Sequence, residues 1–387
     1  MPHLNSLYKR VLILGGYGTF GARIAELLAS EHNVQLIIAG RDRVKAEILA
    51  NQLQIRFPSA RFEGLRLDHE AVNFTAQLAA LNLDLLIHCA GPFQAQGYHV
   101  AEACIASHTA YIDIADAGDF VCNIETLDHA AREADTVVIS GASSLPALSS
   151  AAIQRLAEHF DSVNSIEIDI TPAHRISRGL ATVRSGFEAL GKPFVITREG
   201  QPYATFAGDE LRRVNVGHPV GNRWVCNFDV ADLHLAPAAI PQVRNLRFGT
   251  GVQPRPLQIG LAICAQLARI KLPDAIPPLL THLAKAGHWL AARWPGGSPH
   301  GGMQVKITGA TRELAHAESS WHILGLNGDG PWIPAAPAAA MARKILRNEY
   351  ASRGARPCWQ LVELEQILEE LTPFAVVSRF DMPQSAR

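Results

Sequence analysis

The chain has 387 residues, 48% of them hydrophobic and 18% charged, with a formal net charge of -1. Near-neutral charge and the lack of any basic run argue against a nucleic-acid binder, and a chain this long splits into two domains that each bury a core. Its six cysteines (Cys89, Cys104, Cys122, Cys226, Cys264, Cys358) show no CxxC and no metal-like spacing. Reduced, buried thiols in a cytoplasmic protein without a metal site are expected.

Lys9-Arg10 ahead of an apolar run resembles the start of a secretion signal, but the run ends in glycines and enters a charged helix with Arg23 and Glu26. It reads as a first strand. Val11-Leu12-Ile13-Leu14 leads into Gly16-x-Gly18-x-x-Gly21, and 22–30 reads as a helix. In that setting Gly16 permits a tight turn, Gly18 lets the backbone approach a pyrophosphate, and Gly21 allows close helix–strand packing. Gly16, Tyr17, Gly18, Thr19, Phe20 and Gly21 are the expected phosphate-side contacts, at the positive end of the helix dipole.

Strands at 34–39, 61–67, 83–88, 110–115 and 136–140 alternate with helices at 43–53, 70–80, 94–107 and 118–133. Near-continuous apolar strands in this rhythm predict a Rossmann-type, doubly wound parallel sheet over 1–160. From Val163 the pattern turns to polar–apolar alternation, as in Ser165-Ile166-Glu167-Ile168-Asp169-Ile170. Further strands at 194–198, 223–228, 243–248, 303–308 and 321–324, with helices at 257–270 and 276–292, predict a second α+β domain over 161–327, rich in antiparallel strands. Leu257, Leu261, Cys264, Leu267 and Ala268 share a helix face that serves either core packing or a hydrophobic substrate wall. That helix lacks a basic polar face, and no stretch reaches about 18 unbroken apolar residues, so no membrane contact is expected. Residues 328–387, with helices at 335–347 and 362–371, are expected to return to the first domain.

In an open α/β sheet, ligands sit at the carboxyl ends of the strands. After the second strand comes Gly40-Arg41-Asp42, where Arg41 stands in the place of the usual ribose-binding carboxylate and suits a 2′-phosphate. NADP is therefore expected, while Asp42 leaves NAD open by either taking a ribose hydroxyl or capping the next helix. Asp68 either meets the adenine amino group or caps a helix. Ala90-Gly91-Pro92-Phe93 offers small residues that let a ribose and nicotinamide come close, with Phe93 towards the substrate. Asp113 and Asp116 are either proton-handling carboxylates or turn formers, and Ser143 and Ser144 line the pocket without a nucleophile elbow. No tyrosine is followed four positions later by lysine, which leans away from ketone reduction and towards C=N chemistry. His174, Arg175 and Arg178 are candidate substrate anchors, and His174 a further catalytic candidate; a solvated loop is the other reading.

Gly15-Gly16-Tyr17-Gly18-x-x-Gly21, Ala39-Gly40-Arg41, His88-Cys89-Ala90-Gly91-Pro92-Phe93, Tyr111-Ile112-Asp113 and Ser140-Gly141 with Pro146-Ala147-Leu148-Ser149, in this order, resemble the saccharopine dehydrogenase family of NADP-binding type. The resemblance covers residues 10 to 160. It implies a Rossmann domain with an inserted α+β domain that closes over the cofactor cleft and mediates homodimer pairing. It also implies hydride transfer between a nicotinamide and an imine or secondary amine joining two amino acids. Leu145-Pro146-Ala147 stands where saccharopine-forming members carry Asp-Pro-Gly, which argues against a saccharopine-like substrate. The alternatives are an enoyl reductase acting on a hydrophobic or lipid-like substrate, and a non-catalytic nucleotide-binding protein.

Overall fold

Buried apolar strands dictate the first of two compact units. The computed structural model describes residues 8–94, 96–174, 189–269 and 297–385. Within the described residues, one unit runs to Leu148 and takes up Pro334–Leu371; the other comprises Ser149–Ile333 and the residues from Thr372.

In the first unit, β1 (Lys9–Leu14), β2 (Val34–Gly40), β3 (Arg61–Arg66), β4 (Leu85–His88), β5 (Ala110–Asp113), β6 (Val137–Ser140) and β15 (Gly354–Pro357) form a parallel sheet in the order β15-β6-β5-β4-β1-β2-β3. The chain order reverses beside β1, so the ends of β1 and β4 flank the switch point where such sheets bind ligands. Leu12, Ile37, Leu86, Tyr111 and Val138 project from successive strands into one core with Leu78, Val100 and Cys104 from the crossover helices. Helices α1 (Thr19–Leu27), α2 (Arg43–Arg56), α3 (Phe74–Ala80), α4 (His99–Ala106), α5 (Gly118–Cys122) and α6 (Asp128–Glu133) make the crossovers. The single helix expected over 118–133 is α5, a 3-10 turn (Asn123–Leu127) and α6 in succession.

The second unit holds a largely antiparallel sheet ordered β10 (Arg212–Asn215), β11 (Asn222–Asn227), β12 (Asn245–Thr250), β7 (Ser162–Thr171), β13 (Gly301–Ala310), β14 (Ala317–Gly325), β16 (Val376–Ser385). The hairpin of β8 (Pro193–Arg198) and β9 (Gln201–Phe206) joins it at β12. Alternation along β7 works as the sequence implies. Ile166 and Ile168 are fully buried, while Glu167 on the other face pairs with Arg247 at 2.6 Å and Lys306 at 3.5 Å. The helix expected at 257–270 spans Arg255–Arg269; the one expected at 276–292 lies outside the described residues.

The reading of 328–387 as helices needs correction. Ala336–Leu346 and Leu364–Glu369 are helical, but β15 joins the Rossmann sheet and β16 adds an edge to the second unit's sheet. Strands at a sheet's margin, whether short like β15 or irregular like β16, are stabilised by their neighbours more than by their own alternation, and so leave little trace in sequence.

Arg343 ties the returning helix Ala336–Leu346 to α1. Its guanidinium meets Glu370 at 2.6 Å, the Leu27 carbonyl at 2.6 Å and the Glu31 carboxylate. Burial pushes the Glu31 carboxyl up, but hydrogen bonds from Arg347 and Arg343 outweigh it and hold the pKa below the usual range. Removing one partner from such a half-dry cluster strands the others. Arg343→Ala should lower stability by about 3 kcal/mol, read as a lower urea midpoint in far-UV circular dichroism.

Candidate nucleotide and catalytic site

Backbone crowding shapes the turn from β1 into α1. Gly15 sits at φ 77°, a conformation that favours glycine, and a Cβ there would lie 2.9 Å from the Ala90 nitrogen. The positive φ of this turn thus falls on Gly15, one residue before the Gly16-x-Gly18-x-x-Gly21 spacing. Gly16 is needed for space, since its Cβ would fall 2.7 Å from the Ile13 carbonyl, and Gly21's would fall 2.5 Å from that of Gly15. A Cβ on Gly18 meets only the Gly15 oxygen, at 3.0 Å.

Gly18 is also the N-cap of α1. No side chain caps that end, and the first turn holds no acidic residue. Amides and helix dipole together thus present positive charge that the protein does not itself answer, which is the requirement for a pyrophosphate cradle. The residues present fit a dinucleotide.

At the end of β2, Tyr17 covers Gly40: a Cβ on Gly40 would lie 2.5 Å from the Tyr17 ring. The Asp42 amide donates to the Tyr17 hydroxyl at 3.1 Å. Asp42 itself accepts from the Lys45 amide at 3.2 Å as the N-cap of α2, and that bond holds its pKa low. Of the two readings of Asp42, the structure shows the cap. Arg41 is exposed. Asp68 likewise caps its own loop, accepting from the Glu70 amide at 3.2 Å.

The tail of β4 places Gly91 and Pro92 on the surface, with Gln96 donating to the carbonyls of Ala90 at 2.8 Å and Pro92 at 3.0 Å. Gln96 braces this loop, a role no motif announces. Phe93, expected towards the substrate, is only 6% exposed and packs edge-on to His88 and against Phe120. It supports the loop from behind. His88 is buried too, with Nδ1 3.1 Å from the Tyr111 hydroxyl, and desolvation lowers its pKa to about 3, keeping it neutral.

The two carboxylates after β5 separate into different roles. Asp113 is fully buried, and its Oδ1 accepts from Gly141 N (2.8 Å), Ala115 N (3.0 Å) and Ser140 Oγ (3.0 Å). Backbone pairing between β5 and β6 covers only Tyr111 and Ile112, so this side chain carries the pairing on to the loops. Burial raises its pKa to about 6 against the pull of those hydrogen bonds. Asp116, three residues on, is exposed, although dense surroundings also push its pKa above the ordinary range. Of the two, Asp116 can meet a solute.

Ser143 is buried and donates to the Pro334 carbonyl at 3.2 Å, whereas Ser144 is half-buried. His174 belongs to the second unit, half-buried with its ring against Gly297, while Arg175 and Arg178 lie outside the described residues. Among the described residues no group of three or more His, Cys, Asp or Glu could hold a metal ion, and no helix is long and apolar enough to cross a membrane.

Two measurements test these assignments. Gly21→Ala should abolish NADPH binding in a fluorescence titration, because its methyl would displace the Gly15 carbonyl at the cradle. For Asp113, a raised folded pKa means that folding takes up a proton between the unfolded carboxylate value and about 6. Its contribution to stability is therefore fullest below that window and is lost as pH rises through about 6. Asp113→Asn should remove that loss, so wild-type and variant urea midpoints should draw together at acidic pH and diverge in the variant's favour by neutrality.

Residues 11–139 match the family described as the saccharopine dehydrogenase NADP binding domain. No curated protein matches the sequence. Among solved structures, apo saccharopine dehydrogenase (L-Glu forming) from Saccharomyces cerevisiae superposes with a TM-score of 0.66 at 12% identity, covering 96% of this chain and 100% of that one. GenD2 from gentamicin A biosynthesis, in complex with NAD, reaches 0.41 at 14% identity, over 98% of this chain and 99% of its own. A short-chain dehydrogenase from Sphingobium yanoikuyae in complex with NADPH reaches 0.24 at 22%, over 30% and 55%. Scores this low carry no argument, whereas the first shows a shared fold. Residues 11–139 are thus similar to the saccharopine dehydrogenase NADP binding domain, and the chain shares the fold of the Saccharomyces cerevisiae enzyme.

Proposed function

We propose that the protein is an NADP-dependent oxidoreductase that reduces a C=N bond to a secondary amine. The observation that carries this reading is the pairing, in one unit, of an uncapped glycine-turn helix after β1 with an exposed carboxyl of raised pKa, Asp116, in the loop after β5, two strands along the same sheet. Gly16, Gly18 and Gly21 would hold the pyrophosphate, Arg41 the 2′-phosphate, and Ala90, Gly91 and Pro92 the nicotinamide side. When bound, the reduced nicotinamide supplies the hydride.

Asp116 is the residue that handles the proton. Its surroundings raise its pKa, so the carboxyl keeps a proton to higher pH than an ordinary aspartate, and an imine nitrogen is basic enough to accept that proton. A protonated imine is already electrophilic, so the site needs no strong acid of the Tyr-Lys type. Asp113 positions the Asp116 loop through the bonds to Ala115 and Gly141. His174 is an anchoring candidate supported by its half-buried setting alone.

One observation favours a second reading, a nucleotide-binding protein without turnover. Leu145, at the position where saccharopine-forming relatives place an acid, is an apolar side chain only 5% exposed. We propose a cytoplasmic setting, supported by six free cysteines. We also propose homodimer pairing through the second unit's sheet, supported by exposed Val377, Phe380 and Met382 on its edge strand β16.

NADPH oxidation measured with a panel of imines and a panel of enoyl substrates decides between these readings. Turnover on imines alone is expected; turnover confined to enoyl substrates, or binding without turnover on either panel, contradicts the proposal. On an accepted imine, Asp116→Asn should cut kcat about 100-fold. The wild-type rate should fall as pH rises through the raised Asp116 pKa, and that limb should vanish in the variant.

A further inference from the structure

We propose that Arg66 is a second ligand of the cofactor's 2′-phosphate, and that Tyr17 holds the turn on which it and Arg41 converge. This rests on the NADP reading and adds two residues to it. Four cationic side chains surround the end of β2, and their partners separate them. Arg43 is paired with Glu47 at 2.7 Å and Lys45 with Asp42 at 3.4 Å, each by a carboxylate on its own helical turn. Arg41 and Arg66 have no ion pair among the described residues, and both are exposed.

These two lie side by side. Arg66 is the register partner of Gly40 at the carboxyl end of β3, and its Nε donates to the Arg41 carbonyl at 3.3 Å. That bond uses the inner edge of the guanidinium and leaves the terminal nitrogens uncommitted. Two like charges held next to each other repel, and a dianion placed between them converts that repulsion into two attractions. Asp42, next to Arg41, is paired with Lys45, and Asp68, the acid nearest Arg66 in sequence, is committed to the Glu70 amide. The Tyr17 ring lies over Gly40, the register partner of Arg66, and register partners in a parallel pair project from the same face. With its hydroxyl on the Asp42 amide, Tyr17 fixes the path of Gly40-Arg41-Asp42 from the glycine turn itself. The pyrophosphate end and the 2′-phosphate end of the site are thus joined by one side chain.

Isothermal titration with adenosine 2′,5′-bisphosphate and with 5′-AMP tests this on the full-length protein. Arg66→Ala should weaken the bisphosphate about tenfold or more and leave 5′-AMP unchanged, with Arg66→Lys in between. Tyr17→Phe should lose part of the same preference. An Arg66→Ala protein that binds both nucleotides as wild type does, or loses both equally, overturns the role of Arg66. If Tyr17→Phe keeps the full preference, its bracing role is overturned. Wild-type protein with no preference for the bisphosphate would instead sink the NADP reading beneath the proposal, and Arg41→Ala, which should lose the preference even where Arg66 plays no part, separates the two failures.

Discussion

In the first unit, the backbone N–H groups that open α1 have no side-chain cap. Gly15, Gly16 and Gly21 remove the side chains that would keep β1, α1 and the tail of β4 apart, and no capping residue or first-turn acid takes up the charge at the start of α1. A helix end left in this state costs stability unless an anion completes it. The same crowding explains why the turn is braced from outside, by Tyr17 over Gly40 and by Gln96 across the Ala90–Pro92 loop.

The strand ends divide labour between structure and chemistry. Asp113, His88, Tyr111, Phe93 and Ser143 are all buried and engaged with one another or with loop backbone, so they fix positions. Asp116 and Arg41 stand on the solvent side of that layer, as do Gly91 and Pro92. A rigid polar layer under an accessible one lets the accessible groups keep their geometry when a ligand arrives.

Much of this was legible in the chain itself. Val11–Leu14 is apolar throughout, and the four-residue strands β4, β5 and β6 are buried throughout and apolar up to their last residues, His88, Asp113 and Ser140, as strands covered on both faces tend to be, so the parallel sheet could be read directly. The glycine spacing and Arg41 were equally plain. Gly15 escaped because the fingerprint names its neighbours and not the residue that turns. Arg66 escaped because its meaning lies in a register: only pairing β3 with β2 sets it beside Arg41. Phe93 looked like a substrate contact because proximity in sequence to Gly91 does not say which way a ring faces. The edge strands β10, β15 and β16 hold too few alternating positions, or too irregular a pattern, to be separated from loops before their partners are known.

Hydrogen–deuterium exchange of the wild-type protein, with and without NADPH, reads the central claim most directly. The account predicts slowed exchange at the amides of Tyr17, of Thr19 to Gly21 and of Arg41 and Asp42 when NADPH is present. Unchanged exchange there, or protection confined to peptides elsewhere in the chain, would contradict it.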